Sequence, residues 1–485
     1  VELTDKRGAA HIGRINQTAH LLRNAALVLL ATGLVLLPAS NAKLPVSTHE
    51  TILWIVAGAF VLWAAARTLD WDPPKPHERA VWWLVVMIEV AGWLVTACPR
   101  AMIERSTGAL LDLDREGWRS FGTIDQAASV PAMISISVAL MGLVMALDFA
   151  AGRKGRHILA LAMTISGAAA AIAGLFWRSP ADLRSMWHVA QIPDSVFGWF
   201  WYHGNAAAFL NLTWPASLWL CAILIRNGLR RPLQQVMLAG VAAALLTQII
   251  AVFVNVSKMG HLMFILEAGW MIVTALLIWR PNVADLLFGF RRIMVSAVIA
   301  ASLLLLGAWL GGAGEGITRW SVFAGRRFDD PARRHAAAMA VQIGIDHGWL
   351  GAGPGTFEWV SPHYSSLDSL LSGGHWRHAH NDYAQLFAEW GWLGAGLLVL
   401  VVAFPGRHLG RGMRLAFARK MRRRMSFHRR SGLVCFSAAF MAFMTHAAVD
   451  FPLQIDATRH LYAVLTGLLL AMACSSSNDS GPRFK

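Results

Sequence analysis

His378-Ala-His-Asn-Asp-Tyr-Ala-Gln-Leu-Phe-Ala-Glu-Trp-Gly-Trp-Leu-Gly394 sets two histidines, an Asn, an Asp and a Glu at the start of a long apolar run. Titratable groups at the edge of a membrane span are costly to keep and mark chemistry or transport. Apolar runs near 20 residues recur along the whole 485-residue chain, which is 56% hydrophobic and 15% charged. A soluble protein carries about 25% charged residues. With a mean hydropathy of +0.48, the pattern predicts an all-α polytopic integral membrane protein.

About twelve transmembrane helices are expected, at roughly 20–38, 51–67, 81–98, 129–148, 157–176, 204–226, 235–254, 260–279, 292–310, 383–404, 431–449 and 458–474. The first apolar run lacks the pattern of a cleavable leader and reads as a retained span. Cys98, Cys221, Cys435 and Cys474 sit in or beside apolar runs without CxxC spacing, as small hydrophobes rather than a zinc site or disulfide framework.

The net charge of +15 is concentrated in short loops between apolar runs. With the N-terminus (Lys6, Arg7, Arg14) inside, Arg153/Lys154/Arg156, Arg226/Arg230/Arg231, Arg280/Arg291/Arg292 and the cluster from Arg407 to Arg430 all fall on the same side. That is the positive-inside bias of a membrane protein. It reads as topogenic charge and lipid contact rather than a nucleic-acid patch. It also places 311–382, the longest loop, on the outer face, as a large helical segment between spans nine and ten.

Five polar motifs then share that face: Trp199-Phe-Trp-Tyr-His-Gly-Asn-Ala206, Ser257-Lys-Met-Gly260, the long loop with its arginines and Gly351-Ala-Gly-Pro-Gly-Thr-Phe357, His378–Glu389, and Asp450-Phe-Pro452. The Gly351 segment has neither the Gly-Lys-Ser/Thr of a phosphate loop nor G-x-G-x-x-G spacing. It reads as a Gly/Pro turn ending a helix, or as a turn whose N–H groups approach a phosphate or sugar. His375, His378 and His380 invite a metal reading, but residues two apart on a helix point about 200° apart and no further ligand set accompanies them. We expect no metal and no cofactor, and favour a histidine general base. Lys258, Arg333 and Arg334 either snorkel to headgroups or clamp a pyrophosphate. Tryptophans beside these motifs are belt residues or sugar platforms.

Taken in order, Tyr202-His-Gly-Asn-Ala-Ala-Ala-Phe-Leu210, Ser257-Lys-Met-Gly260, Arg333 followed by Asp346-His-Gly-Trp-Leu-Gly-Ala-Gly-Pro-Gly-Thr-Phe357, His378-Ala-His-Asn-Asp-Tyr-Ala-Gln-Leu, Glu389-Trp-Gly-Trp-Leu-Gly394 and Asp450-Phe-Pro-Leu-Gln resemble the O-antigen ligase and polymerase superfamily of bacterial envelope glycosyltransferases. The resemblance covers about 195–470. It divides the chain into N-terminal spans (1–190), a ligase-like core (191–474) and a cytoplasmic tail (475–485).

The resemblance implies a metal-independent, inverting glycosyltransferase of the bacterial inner membrane whose active site faces the periplasm. Its donor is an undecaprenyl-pyrophosphate-linked glycan and its acceptor a glycolipid or glycan hydroxyl, in contact with the lipid bilayer and without nucleic acid. A polymerase of the same superfamily is the alternative within the class, and a transporter or flippase the alternative outside it. By motif match His380 is the base, with Asn381 or Asp382 fixing its tautomer. Arg333 and Lys258 hold the pyrophosphate. Lys258 stands where the family usually has arginine, which keeps the charge but loses the bidentate fork, so Arg334, Arg326 or Arg327 is an alternative second clamp. His203, Asn205, His378, Tyr383 and Trp376 are weaker glycan contacts.

Overall fold

The computed structural model describes residues 2–41, 46–70, 73–112, 122–177, 196–279, 331–365, 376–418 and 425–474. The expected span at 292–310, Arg326, Arg327, His375 and the tail 475–485 lie outside these residues. Those described form thirteen α-helices: α1 (Glu2–Leu36), α2 (Val46–Leu69), α3 (Pro76–Ala97), α4 (Gln126–Phe149), α5 (Arg153–Phe176), α6 (His203–Asn227), α7 (Pro232–Val254), α8 (Lys258–Trp279), α9 (Pro331–His347), α10 (Phe357–Tyr364), α11 (Asp382–Phe417), α12 (Phe427–Ala447) and α13 (Asp456–Cys474). Ten of them, α1 to α8 with α11 and α13, are long and apolar enough to cross a membrane. The chain is a multi-pass, helical membrane protein. α12 has the length of a span but includes His428, Arg429, Arg430 and His446, which dilute its hydropathy.

Not all the structure is helical. Strands β1 (Ala101–Ile103) and β2 (Leu110–Asp112) pair antiparallel, with Met102 opposite Leu111. This hairpin lies between the expected spans 81–98 and 129–148.

Burial sorts the spans. α6 and α13 are buried over most of their length, whereas α3 and α7 turn most of theirs outward. The main core gathers Phe209, Trp219, Phe436, Leu465 and their neighbours around α6, α12 and α13. α6 meets α8 closely: a Cβ on Gly260 would run into that of Ala207, and Asn211 Nδ2 donates to the Gly260 carbonyl at 2.9 Å. Small residues and interhelical hydrogen bonds hold helices together where lipid removes the hydrophobic drive.

A second, smaller core lies over one end of the bundle. Met339, Ala340 and Ile343 of α9, Phe357 and Val360 of α10, and Ala384 and Ala388 of α11 pack there with Ala101 and Ile124. This cap is docked through a break in α11. Over 36 residues that element would extend about 54 Å, well beyond a hydrocarbon core of about 30 Å. It is two helices joined at Gly391, whose φ of 58° and ψ of −151° suit glycine; a Cβ there would strike the Gly348 carbonyl. The groups around the break are paired. Trp392 and Leu393 N–H donate to the Gly348 and Trp349 carbonyls, and Ala352 and Gly353 N–H to those of Ala388 and Glu389. Irregular backbone at membrane depth persists only when protein satisfies it in this way.

The opposite end is basic. Buried Arg429 donates to the Met472 (2.6 Å) and Ala473 (3.2 Å) carbonyls at the end of α13, a cation on the negative end of a helix. Arg226 lies over Phe427 and Arg430 over Trp279. Arg407, Arg411 and Arg414, expected in a loop, continue α11 past Pro405.

Candidate active site

The polar motifs meet where the cap joins the bundle. Asn381 begins α11: its Oδ1 accepts the N–H groups of Tyr383 (3.0 Å) and Ala384 (3.1 Å), supplying acceptors that a helix N-terminus lacks. The first turn is then tied to the 450–455 turn. Asp382 N–H donates to the Asp450 carbonyl at 3.2 Å. The Asp382 carboxylate accepts from Leu453 N–H (2.8 Å) and Gln454 Nε2 (3.0 Å).

Just ahead of this turn, His380 is the one non-glycine residue with positive φ (50°) among the described residues. A left-handed conformation costs an ordinary residue energy and persists where its surroundings enforce it. Here they do. His380 Nδ1 is 3.2 Å from Asp450 Oδ1, and three aromatic rings stand edge-to-face around the imidazole. Their centroids lie at 4.8 Å (Phe451), 5.9 Å (Trp376) and 6.2 Å (Tyr202).

Asp450 is buried between two histidines, His380 and His446. His446 Nε2 lies 3.8 Å from its second oxygen, and Phe451 N–H donates to the first at 3.1 Å. Burial pushes the Asp450 carboxyl up. The His380 hydrogen bond and the nearby His446 and Arg333 charges outweigh it and hold the carboxyl well below the usual range. An ionised Asp450 fixes the proton of a neutral His380 on Nδ1 and leaves Nε2 with its lone pair.

Arg333, on the first turn of α9, donates through Nη2 to the Tyr202 hydroxyl at 2.8 Å. Burial and the Asp450 charge push the Tyr202 phenol up, so it stays protonated. Arg333 is therefore one hydrogen bond and one ring contact from His380. Lys258 begins α8 beside the start of α6: Asn255 donates to the His203 carbonyl at 3.0 Å and its Oδ1 accepts Ser257 N–H at 2.8 Å. His203 in turn lies against Tyr202, at 4.7 Å between centroids. Arg334 is exposed on α9.

The remaining expected residues divide. Trp376 walls His380. His378 stacks on Phe451 at 4.3 Å, and burial, with the Arg377 and His380 charges, lowers its pKa to about 3. It lines a cavity of about 420 Å³. Polar side chains including Arg377, Gln454 and Arg459 line part of that cavity, and Ile88, Leu140, Leu397 and Val401 another part. Asn205 is buried in the first turn of α6.

Other expected contacts are corrected. Asn381 caps α11 and Asp382 holds the 453–454 backbone and side chain, and the carboxylate within reach of the imidazole is that of Asp450. Tyr383 points into the bundle, donating to the Met444 carbonyl at 2.6 Å. In the Gly351–Phe357 segment, Gly355 and Phe357 N–H donate to Glu389, so the turn is spent on docking the cap. Sequence reading passed over Asp450, Tyr202 and Phe451 as participants, although all three lie in motifs already marked as unusual. Among the described residues, no three or more His, Cys, Asp or Glu side chains gather as metal ligands.

Residues 241–399 match the family model described as O-antigen ligase. No curated protein matches the chain. The matched region includes Lys258, Arg333 and His380, while Tyr202 and Asp450, which contact Arg333 and His380, lie outside it. With that match, the likeness of this chain to the O-antigen ligase superfamily rests on the region that carries its candidate base and cations.

Proposed function

We propose that the protein is an inverting glycosyltransferase that moves a glycan from an undecaprenyl-pyrophosphate carrier to an acceptor hydroxyl, at the periplasmic face of a bacterial inner membrane. The observation that carries this reading is His380, held in a left-handed conformation with Nδ1 on Asp450 and Arg333 close by through Tyr202. A base, its orienting carboxylate and a cation are the parts that displacement of a pyrophosphate needs.

In the reaction, His380 Nε2 takes the proton of the acceptor hydroxyl. The acceptor oxygen forms a new bond to the anomeric carbon as the carbon–oxygen bond to pyrophosphate breaks. The electron pair leaves with the carrier, where Arg333 and Lys258 offset the growing charge. Asp450 stabilises the imidazolium, and the Phe451, Trp376 and Tyr202 rings shield it from water. The carrier is already activated, so no nucleotide is consumed. The amphipathic cavity beside His378 suits part of a lipid-borne substrate.

The test is reconstitution in vesicles with an undecaprenyl-pyrophosphate-linked glycan and a hydroxyl acceptor, with a metal chelator present. Transfer with inverted anomeric configuration is expected; retention of configuration overturns the single displacement. A deletion strain separates the two members of the class. Unattached polymer on the carrier marks a ligase, and accumulation of single repeats marks a polymerase.

A further inference from the structure

Three polar residues in the helical core touch no reacting atom of the reaction above. Glu267 of α8 is 1% exposed, and neither carboxyl oxygen has a well-formed hydrogen bond, Trp214 being the donor that approaches the group. His446 of α12 is 1% exposed and its Nε2 is unbonded. Asn211 of α6, 4% exposed, donates its amide to Gly260, which turns an unbonded Oδ1 inward. All three line one small buried void.

The hydrogen-bond inventory of this void does not balance. An ionised Glu267 offers two acceptor oxygens and Asn211 one, and His446 Nε2 is another whenever its proton sits on Nδ1. One donor approaches, Trp214 Nε1–H beside the Glu267 carboxyl, too few for the acceptor positions present. A membrane core supplies no bulk water to close the deficit, and the void is too tight for a water molecule. What is missing is a donor, and the smallest way to provide one is a proton.

We propose that Glu267, Asn211 and His446 form an intramembrane proton-binding site that acts on Asp450 from behind. His446 is the link. Its carbonyl accepts Asp450 N–H at 3.0 Å, and its Nε2 lies 3.8 Å from Asp450 Oδ2. A proton residing on His446 points Nε2–H at that oxygen and locks the carboxylate against His380. A proton residing on Glu267 leaves Nε2 an acceptor and releases it. His446 is thus a positioning residue. Among the described residues, His446 of α12 is the one titratable group lining the void beside Glu267, with Asp450 behind it. α6 contributes uncharged Asn211, and no charged residue of α7 or α11 lines it. The link to Asp450 rests on the base role of His380; the proton site does not.

The experiment uses the full-length protein in nanodiscs, wild type and Glu267→Gln, compared by infrared difference spectroscopy. The expected result is a protonated-carboxyl band in the wild type at neutral pH, absent in E267Q and lost at alkaline pH. A carboxylate band at neutral pH overturns the site. So does sodium or potassium raising the melting temperature of the wild type but not of E267Q, which reassigns the void to a cation. Should E267Q fail to accumulate, Glu267→Asp serves instead, retaining the group at a shifted frequency. The coupling is read in the transfer assay. His446→Gln is expected to lower kcat about tenfold (about 1.4 kcal/mol), with KM unchanged and the acid limb of the pH profile displaced. An unmoved profile removes the coupling. If the wild type transfers no glycan at all, the glycosyltransferase reading fails while the infrared result still decides the proton site.

Discussion

Two buried carboxylates near the junction of cap and bundle have opposite surroundings. Glu389 accepts from the N–H groups of Gly355 (2.9 Å) and Phe357 (3.4 Å) and from Gln385 Nε2 (3.0 Å). Asp450 faces His380, with His446 and the Arg333 charge around it. Backbone and amide donors cannot change their proton count, so they turn a carboxylate into a structural pin. Histidine and arginine partners make the same group responsive to protons and to incoming anions. A buried acid is therefore read by its partners, not by its burial.

That contrast is broken most directly at His380. His380→Ala is expected to lower glycan transfer about 10²–10⁴-fold, with unchanged membrane insertion on a blot of the membrane fraction. Activity at the wild-type level would remove it from the mechanism. Asp450→Asn keeps the shape but loses the charge that selects the tautomer. A loss of up to about 10⁴-fold in kcat is expected, the size of effect that follows removal of an orienting carboxylate behind a catalytic histidine. Arg333→Lys retains charge but gives up the geometry of the fork. About a tenfold rise in donor KM is expected with acceptor KM unaffected, and equal effects on both would speak against a pyrophosphate contact.

Glu389→Gln probes the other side of the comparison. It sets an amide against backbone donors and is expected to cost about 1–3 kcal/mol of stability, seen as a lower melting temperature. Transfer per folded molecule is expected to change little; a selective kcat defect would erase the distinction drawn above.

The smallest effect concerns His378, whose pKa is lowered to about 3 from about 6.5 in an unfolded chain. The unfolded state then binds more protons, so this residue's contribution is present above about pH 6.5 and falls away as pH drops toward 3. His347, lowered to about 4 by burial and the Arg100 charge, acts in the same direction. Melting temperatures measured from pH 7 to 5 are expected to fall, with a shallower slope in His378→Gln. Parallel slopes would show that His378 contributes nothing to the acid sensitivity.

Much of this was legible because it is written in local composition. Apolar runs fixed most span positions to within a few residues, and the ordered motifs picked out His380, Lys258 and Arg333. The contacts that differ from the expected ones share one cause. Asn381 and Asp382 adjoin the histidine in sequence and looked like its orienters, but neighbours at a helix start are used up in capping and in tying down the next turn. The carboxylate that reaches the imidazole is 70 residues away. Similarly, a Gly/Pro turn with free N–H groups resembles an anion site until the buried Glu389 that fills it is located.

The sequence by itself determined a multi-pass helical chain with its polar motifs on one face, because hydropathy and charge act residue by residue against the bilayer. Only the tertiary structure decided which acid contacts His380, which acid pins the cap, and that α11 breaks at Gly391. Each depends on donors and acceptors brought together from distant segments, and a one-dimensional pattern does not say which of them meet.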